Sequence, residues 1–253
     1  MAKKLLILLV VTLMAATASA ETDFVKNLAT IETMQGDSAK SAITKLMNEA
    51  KNDTKLYKNY VSLAEEHLAE PTDSLHNEEL YIAVLENAIS NNTLSNSDRV
   101  RPRLLLENAL KNRIDSTAND IEYTVADGTT GHLLDIKSPL TLIYFNDPDC
   151  EACHKVKQRL AKSQLINTLI QEKKLTVIAI YPFDNVELWG KTSFPANIIN
   201  ARDAKSAIED DGTYDLPSMP VFYLLDKDKK VLMKNEASLN RIEKALTRLT
   251  AGQ

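Results

Sequence analysis

Leu140-Thr-Leu-Ile-Tyr-Phe-Asn146-Asp-Pro-Asp-Cys150-Glu-Ala-Cys153-His154 is the stretch that decides the fold. Its apolar opening, Leu140 to Asn146, reads as a buried strand. From Glu151 to about Ile170 the chain reads as a helix. Cys150 and Cys153 are the only two cysteines in 253 residues. Two thiols three positions apart at a strand-to-helix junction can close into a reversible disulfide, and the amino end of a helix favours the first as a thiolate. The letters Cys150-Glu-Ala-Cys153-His154 equally spell a covalent haem attachment site.

Working outward, the segment after the helix predicts a strand over Leu175 to Tyr181, a helical piece over about 197–210 and a strand over Pro220 to Leu225. A turn at Asp226 to Lys229 leads to a closing strand, Val231 to Lys234. Leu239, Ile242, Ala245, Leu246 and Leu249 then line one face of a terminal helix. Before Leu140, Ile121–Val125 and His132–Ile136 read as two short strands joined by a turn at Asp127-Gly128. Alternating strands and helices of this kind build an α/β sandwich.

Residues 21–115 have a different texture, helical throughout. Ala39–Ala50, Leu56–Ala69, Leu75–Ile89 and Arg103–Lys111 each carry apolar residues at three- and four-residue spacing. Four helices with one face each to bury predict a small all-α domain. The domain boundary falls at about 115–120, dividing a helical domain (21–115) from an α/β domain (116–253).

Residues 1–20 carry the features of an export signal. Lys3 and Lys4 supply the positive start, Leu5 to Met14 the apolar stretch, and Ala18-Ser19-Ala20 the small-residue cleavage site before Glu21. About ten apolar residues are too few for a membrane span, which needs about twenty. The expectation is an exported, periplasmic and soluble mature chain of about 230 residues. An oxidising compartment tolerates structural disulfides, yet both thiols here are committed to one local motif.

The formal charge is -5, and loss of Lys3 and Lys4 makes it -7, with 28 basic against 35 acidic residues. This acidity argues against nucleic acid and against an anionic membrane as partners. At 44% hydrophobic the chain can bury a sizeable core, and six glycines and eight prolines leave little room for low-complexity linkers.

Redox use of the two cysteines requires an exposed first thiol, a second thiol behind it to resolve a mixed disulfide, and a surface that holds the substrate chain. A helix opening at Cys150 supplies the first two. For the third, Pro217-Ser-Met219-Pro220 stands immediately before the strand Val221-Phe-Tyr-Leu-Leu225. In this the chain resembles the thioredoxin superfamily over about Ile121 to Leu249. The resemblance implies a central mixed sheet flanked by helices with an amino-terminal β-hairpin. It implies Cys150 as the attacking thiol and Cys153 as the resolving one. It also implies a cis-proline at Pro220 that, with Met219, receives the substrate backbone. The exported TlpA-like branch fits best. Phe145-Asn-Asp-Pro-Asp-Cys150, with the helical region before it, looks like exported thioredoxin-like proteins of the Bacteroidetes.

The activity implied is thiol–disulfide exchange on exported proteins with disulfides, with no cofactor beyond the Cys150–Cys153 disulfide and no metal. An electron donor in the membrane or periplasm would re-reduce the pair. The helical appendage is expected to recognise a partner or to form a homodimer. Asp149 replaces the family's tryptophan, and Tyr144 its buried carboxylate six residues before the first cysteine, leaving the proton acceptor for Cys153 unassigned. Asp149, Glu151 and nearby Asp147 disfavour a thiolate at Cys150. Destabilising the reduced form makes the pair a better reductant.

Other residues carry a plain reading beside a functional one. Trp189 either lines the substrate groove or packs. Asp147 and Asp149 are expected to cap the helix, and His154 to be solvated or hydrogen-bonded, with tuning of the thiols as its functional alternative. His67, His76 and His132 read as surface residues. For haem, Met219, Met233 or His132 would be the second axial ligand to His154, although such sites usually sit in small helical proteins and not behind a strand. Two thiols and one histidine fall short of a closed zinc site. A third alternative is a scaffold acting through the helical domain.

Overall fold

The computed structural model describes residues 19–34, 36–216 and 218–251. Residues 1–18, the greater part of the predicted export signal, lie outside the described residues. The chain divides into two compact units, one ending at Ala109 and the other beginning at Leu110.

The first unit is helical. Residues 19–32 form α1, and its inward side, Phe24, Leu28 and Ile31, is spaced by four and three. This helix adds to the four read from the sequence, and the same periodicity carried its signal. Helix α2 spans Gly36–Glu49 and buries Ala39, Ile43, Leu46 and Met47. Helix α3, Thr54–Ala64, is capped by Asp53, whose carboxylate accepts from the amides of Lys55 and Leu56. A wider π-turn, Glu65–Ala69, follows it. His67 in this turn is half-buried against Asp73 at 2.9 Å, where a plain surface position was expected. Helix α4, Glu78–Ser90, buries Leu80 through Leu85 without a break, so it is the core helix of the unit. Helix α5, Val100–Ala109, completes it.

The second unit opens by pairing with its own far end. The amide of Asp115 donates to Val231, and the amide of Val231 donates to Ser116, both at 2.9 Å. These bonds explain why 110–118 joins the second unit, although the change of hydrophobic period comes only near residue 115. Strands β1, Glu122–Val125, and β2, Thr130–His132, follow as a hairpin. Gly128 at φ 84° makes its turn, a conformation glycine adopts without steric cost. Then come β3 (Leu140–Phe145), α6 (Glu151–Lys162), α7 (Gln164–Gln171), β4 (Leu175–Tyr181), α8 (Val186–Gly190), β5 (Ile199–Asp203), α9 (Ala207–Asp210), β6 (Val221–Leu225), β7 (Val231–Glu236) and α10 (Leu239–Thr250).

The seven strands form one sheet in the order β2-β1-β5-β4-β3-β6-β7. Strands β3, β4 and β5 run parallel, and the remaining pairings are antiparallel. Alternation sends Leu142 and Tyr144 of β3 to one face, with α6, α7 and α10, and Ile143 and Phe145 to the other. Each fully buried side chain of this size contributes about 1.5–3 kcal/mol. The thioredoxin-like layout read from the sequence is therefore the observed one.

Several elements differ from the sequence reading, among them α8, which lies in a segment read without an element. The predicted helix 151–170 is two helices. Ser163, extended at ψ 114°, ends α6 and caps α7 by accepting from the Ile166 amide. Its hydroxyl also donates to Glu243 on α10 at 2.5 Å. The predicted helical piece 197–210 is the strand β5 followed by the short α9. Partners on both sides override its polar, helix-like composition: β4 pairs along one edge and β1 along the other. Asp203 then turns the chain, accepting from the amides of Lys205 and Ile208. The strand predicted at His132–Ile136 lies earlier, at Thr130–His132, because Leu133–Asp135 curls into a helical turn that buries Leu133.

Ser163→Ala removes one cap and one tie to α10. It is expected to cost about 1 kcal/mol, read as a lower denaturation midpoint with an unchanged slope in urea.

Candidate active site

Strand β3 ends at Phe145, and the next residues turn its carboxyl end into α6. The Asn146 amide still donates to Ile180 of β4 at 3.1 Å, so the chain leaves the sheet only after that residue. Asp147 then accepts twice. Its carboxylate takes the Asp149 amide at 2.9 Å and its carbonyl takes the Cys150 amide at 3.1 Å. From the helix side, His154 donates from Nε2 to the Pro148 carbonyl at 2.6 Å. These three bonds fasten the loop that delivers Cys150.

Cys150 is itself the amino-terminal cap of α6. It is extended (φ -89°, ψ 114°), and its Sγ accepts from the Cys153 amide at 3.1 Å. The cap expected from Asp147 or Asp149 is thus made by the sulfur, which occupies the place a serine or aspartate oxygen usually takes. Asp147 closes the preceding turn instead, and Asp149 points to solvent.

The two thiols are unequal. Cys150 is half-buried and reachable, whereas Cys153 is 2% exposed. Burial, followed by the hydrogen bond to the Cys150 sulfur, pushes the Cys153 thiol up to about 12. Opposite Cys150, the Met219–Pro220 peptide is cis, and the Met219 carbonyl oxygen lies 3.7 Å from Cys150 Sγ. Cys150, Cys153 and the Met219–Pro220 peptide are therefore assembled at one point from segments about 70 residues apart.

Tyr144 lies beneath them. It is fully buried on β3, and its hydroxyl donates to the Cys153 carbonyl at 2.8 Å. Burial, reinforced by the nearby sulfurs of Cys153 and Cys150, raises its phenol well above the ordinary value. Sequence reading noted Tyr144 only for the carboxylate it replaces. Its place on the Leu142–Tyr144 face of β3 was legible, and its bond to the helix was not.

The remaining predicted residues are distributed as follows. Glu151 is exposed and pairs with Lys155 at 2.7 Å, one turn along α6. Asp147 and Asp149 act with Asp184 and Glu209 on Tyr181, whose phenol is raised by burial first and by these charges next. Trp189 in α8 is 7% exposed, and its indole donates to Asn200 of β5 at 3.2 Å.

His154 Nε2 is engaged by the Pro148 carbonyl, and Cys153 has its sulfur turned inward. Of the other suggested haem ligands, Met219 lies opposite Cys150, His132 is on edge strand β2, bonded to Asp120, and Met233 is on the opposite edge strand β7. Among the described residues no group of three or more His, Cys, Asp or Glu side chains could hold a metal ion.

The fold has known relatives. A thioredoxin-like protein from Bacteroides caccae is 35% identical over 90% of this chain and 83% of its own, with a TM-score of 0.86. The C-terminal domain of an uncharacterized protein from Bacteroides fragilis is 35% identical over 54% of this chain and 99% of that one, with a TM-score of 0.52. A family model described as a domain of unknown function (DUF5106) matches residues 10–112. No curated protein matches the chain. The chain belongs to the thioredoxin-like proteins.

With Cys150 replaced by alanine, Cys153 is expected to alkylate slowly at pH 8. The Cys150 contribution is absent in this variant, but burial, the larger cause, still holds the thiol above its ordinary value, so its rate should go on climbing past pH 9. Iodoacetamide labelling across this range, followed by mass spectrometry, checks the assignment.

Proposed function

We propose that this protein is an exported thiol–disulfide oxidoreductase that reduces disulfides in other periplasmic proteins. The observation that carries this reading is the pairing of a reachable sulfur with a buried one at the amino end of a helix. Cys150 caps α6 and faces the Met219 carbonyl, and Cys153 waits behind it.

The thiolate of Cys150 attacks one sulfur of a substrate disulfide, forming a mixed disulfide and releasing the first substrate thiol. Cys153 then attacks the Cys150 sulfur. A Cys150–Cys153 disulfide forms and the second substrate thiol departs, so two electrons pass from the dithiol to the substrate. An extended substrate chain laid along Met219–Pro220 would present its cystine to Cys150, with the Met219 backbone aligning it. An electron donor in the membrane or periplasm returns the pair to the dithiol.

The choice of reduction over oxidation rests on the acidic sequence around Cys150, with Asp147, Asp149 and Glu151. Lys155 offsets the Glu151 charge weakly, because both side chains are largely exposed. Export is supported by Lys3 and Lys4, the short apolar run Leu5–Met14 and the small residues before Glu21. No described helix is long and apolar enough to cross a membrane. In this reading the helical unit recognises partners or joins two copies of the chain, and the dithiol needs no other cofactor.

Cys150→Ala is expected to abolish reduction of a protein disulfide such as insulin, by ~100-fold or more. Cys153→Ala should accumulate a mixed disulfide at Cys150 with exported proteins, seen on non-reducing gels. The couple should lie well below about -120 mV, the value of a strong periplasmic oxidant. A potential near that value would reverse the proposed direction. Failure of Cys153→Ala to trap any partner would favour a scaffold, and an intense Soret band in the purified protein would favour haem.

A further inference from the structure

The dithiol rests on a phenol that cannot act as a base. Tyr144 stands where a carboxylate would lie six residues before Cys150, and its hydroxyl is spent as a donor to the Cys153 carbonyl at 2.8 Å. The ring is held on two sides, stacked on Phe222 at 5.0 Å between centroids and edge-on to Phe194 at 6.2 Å. A buried phenol beside two sulfurs keeps its proton. The other titratable groups acting on Cys153 are Cys150 and Asp147. Cys150 is the reaction partner. Asp147 Oδ1 already holds the Asp149 amide.

We propose that Tyr144 is a positioning residue for thiol exchange. Its hydroxyl, bonded to the Cys153 carbonyl, holds the first turn of α6 down on β3 and keeps Cys153 aligned beneath Cys150. It also fills with a donor the place from which a base would reach that thiol. This inference rests on the redox reading of the dithiol. In the resolving step the Cys153 sulfur bonds to the Cys150 sulfur, the bond from Cys150 to the substrate sulfur breaks, and the departing thiolate takes the electron pair. The Cys153 proton leaves with that thiolate or, for a weakly basic leaving group, passes to water. The rate of resolution therefore follows the small thiolate fraction of Cys153.

Ellman's reagent separates the two steps on the full chain. Attack by Cys150 releases one thionitrobenzoate, and resolution by Cys153 releases a second. Tyr144→Phe keeps the ring and removes the hydroxyl. It is expected to leave the first phase unchanged and to slow the second about fivefold, as suits the loss of one buried hydrogen bond. In wild type the second phase should rise about tenfold per pH unit from pH 6 to 9 with no plateau, as expected of a thiol without a base. A general loosening of the core is tested with Leu142→Ala, on the same face of β3. That variant should lower the melting temperature and leave the second phase unaltered.

An unchanged second phase in Tyr144→Phe, or equal slowing by Leu142→Ala, would overturn the proposal. So would a plateau near neutral pH in wild type, which needs no variant to fold. Failure of the functional reading would show separately, as a wild-type protein that passes this test yet reduces no protein disulfide.

Discussion

Strand β3 is enclosed on all sides, and the rest of the second unit is arranged around that fact. All six of its residues are buried, with β4 parallel along one edge and β6 antiparallel along the other. Its two faces feed two separate cores. A strand so enclosed cannot slip by one residue without exchanging those faces. Its carboxyl end is therefore a fixed point, and the Asp147–Asp149 turn and Cys150 are placed relative to it. The antiparallel pairing with β6 sets Phe145 beside Val221. This brings the cis Met219–Pro220 peptide, one step earlier in the chain, to the same end of the sheet as Cys150.

The chemistry of the pair follows from this placement more than from the identity of its neighbours. One helical turn separates two identical thiols, yet one is reachable while the other is buried, its backbone carbonyl held by a phenol. Burial dominates the raised value of Cys153, and its bond to the Cys150 sulfur comes second. The acidic residues that dominate the sequence around Cys150 are mostly solvent-facing, where screening limits their reach. The difference between the two cysteines is therefore a product of depth.

The helical unit is organised by a similar constraint on another element. Helix α4 carries buried residues around nearly its whole circumference, so α2, α3 and α5 must cover it. The π-turn after α3 brings His67 against Asp73 and ends the helical run at Glu70-Pro71. The proline has no amide to donate, which makes it a natural stop.

Much of this was legible in the amino-acid sequence. The apolar run Leu140–Phe145, the period of Leu239–Leu249 and the order of strands and helices were enough to specify the sheet and its central strand. The spacing of the cysteines and the Met219-Pro220 dipeptide were enough to name the candidate site. Hydrophobic period and local turn chemistry are properties of short segments, and segments of this kind carry their own instructions. Four things required the folded chain: strand β5, the break at Ser163, the cap made by Cys150 and the hydrogen bond from Tyr144. Each depends on partners distant in sequence or on the exact side of a backbone group that a side chain reaches. Ile199–Asp203 becomes a strand because β4 and β1 flank it, and Ser163 interrupts a helix where Glu243 of α10 receives its hydroxyl. The pattern of residues determined that there would be a strand, a dithiol and a helix in that order. Only tertiary packing decided which sulfur would be buried, because burial is a property of what surrounds a residue.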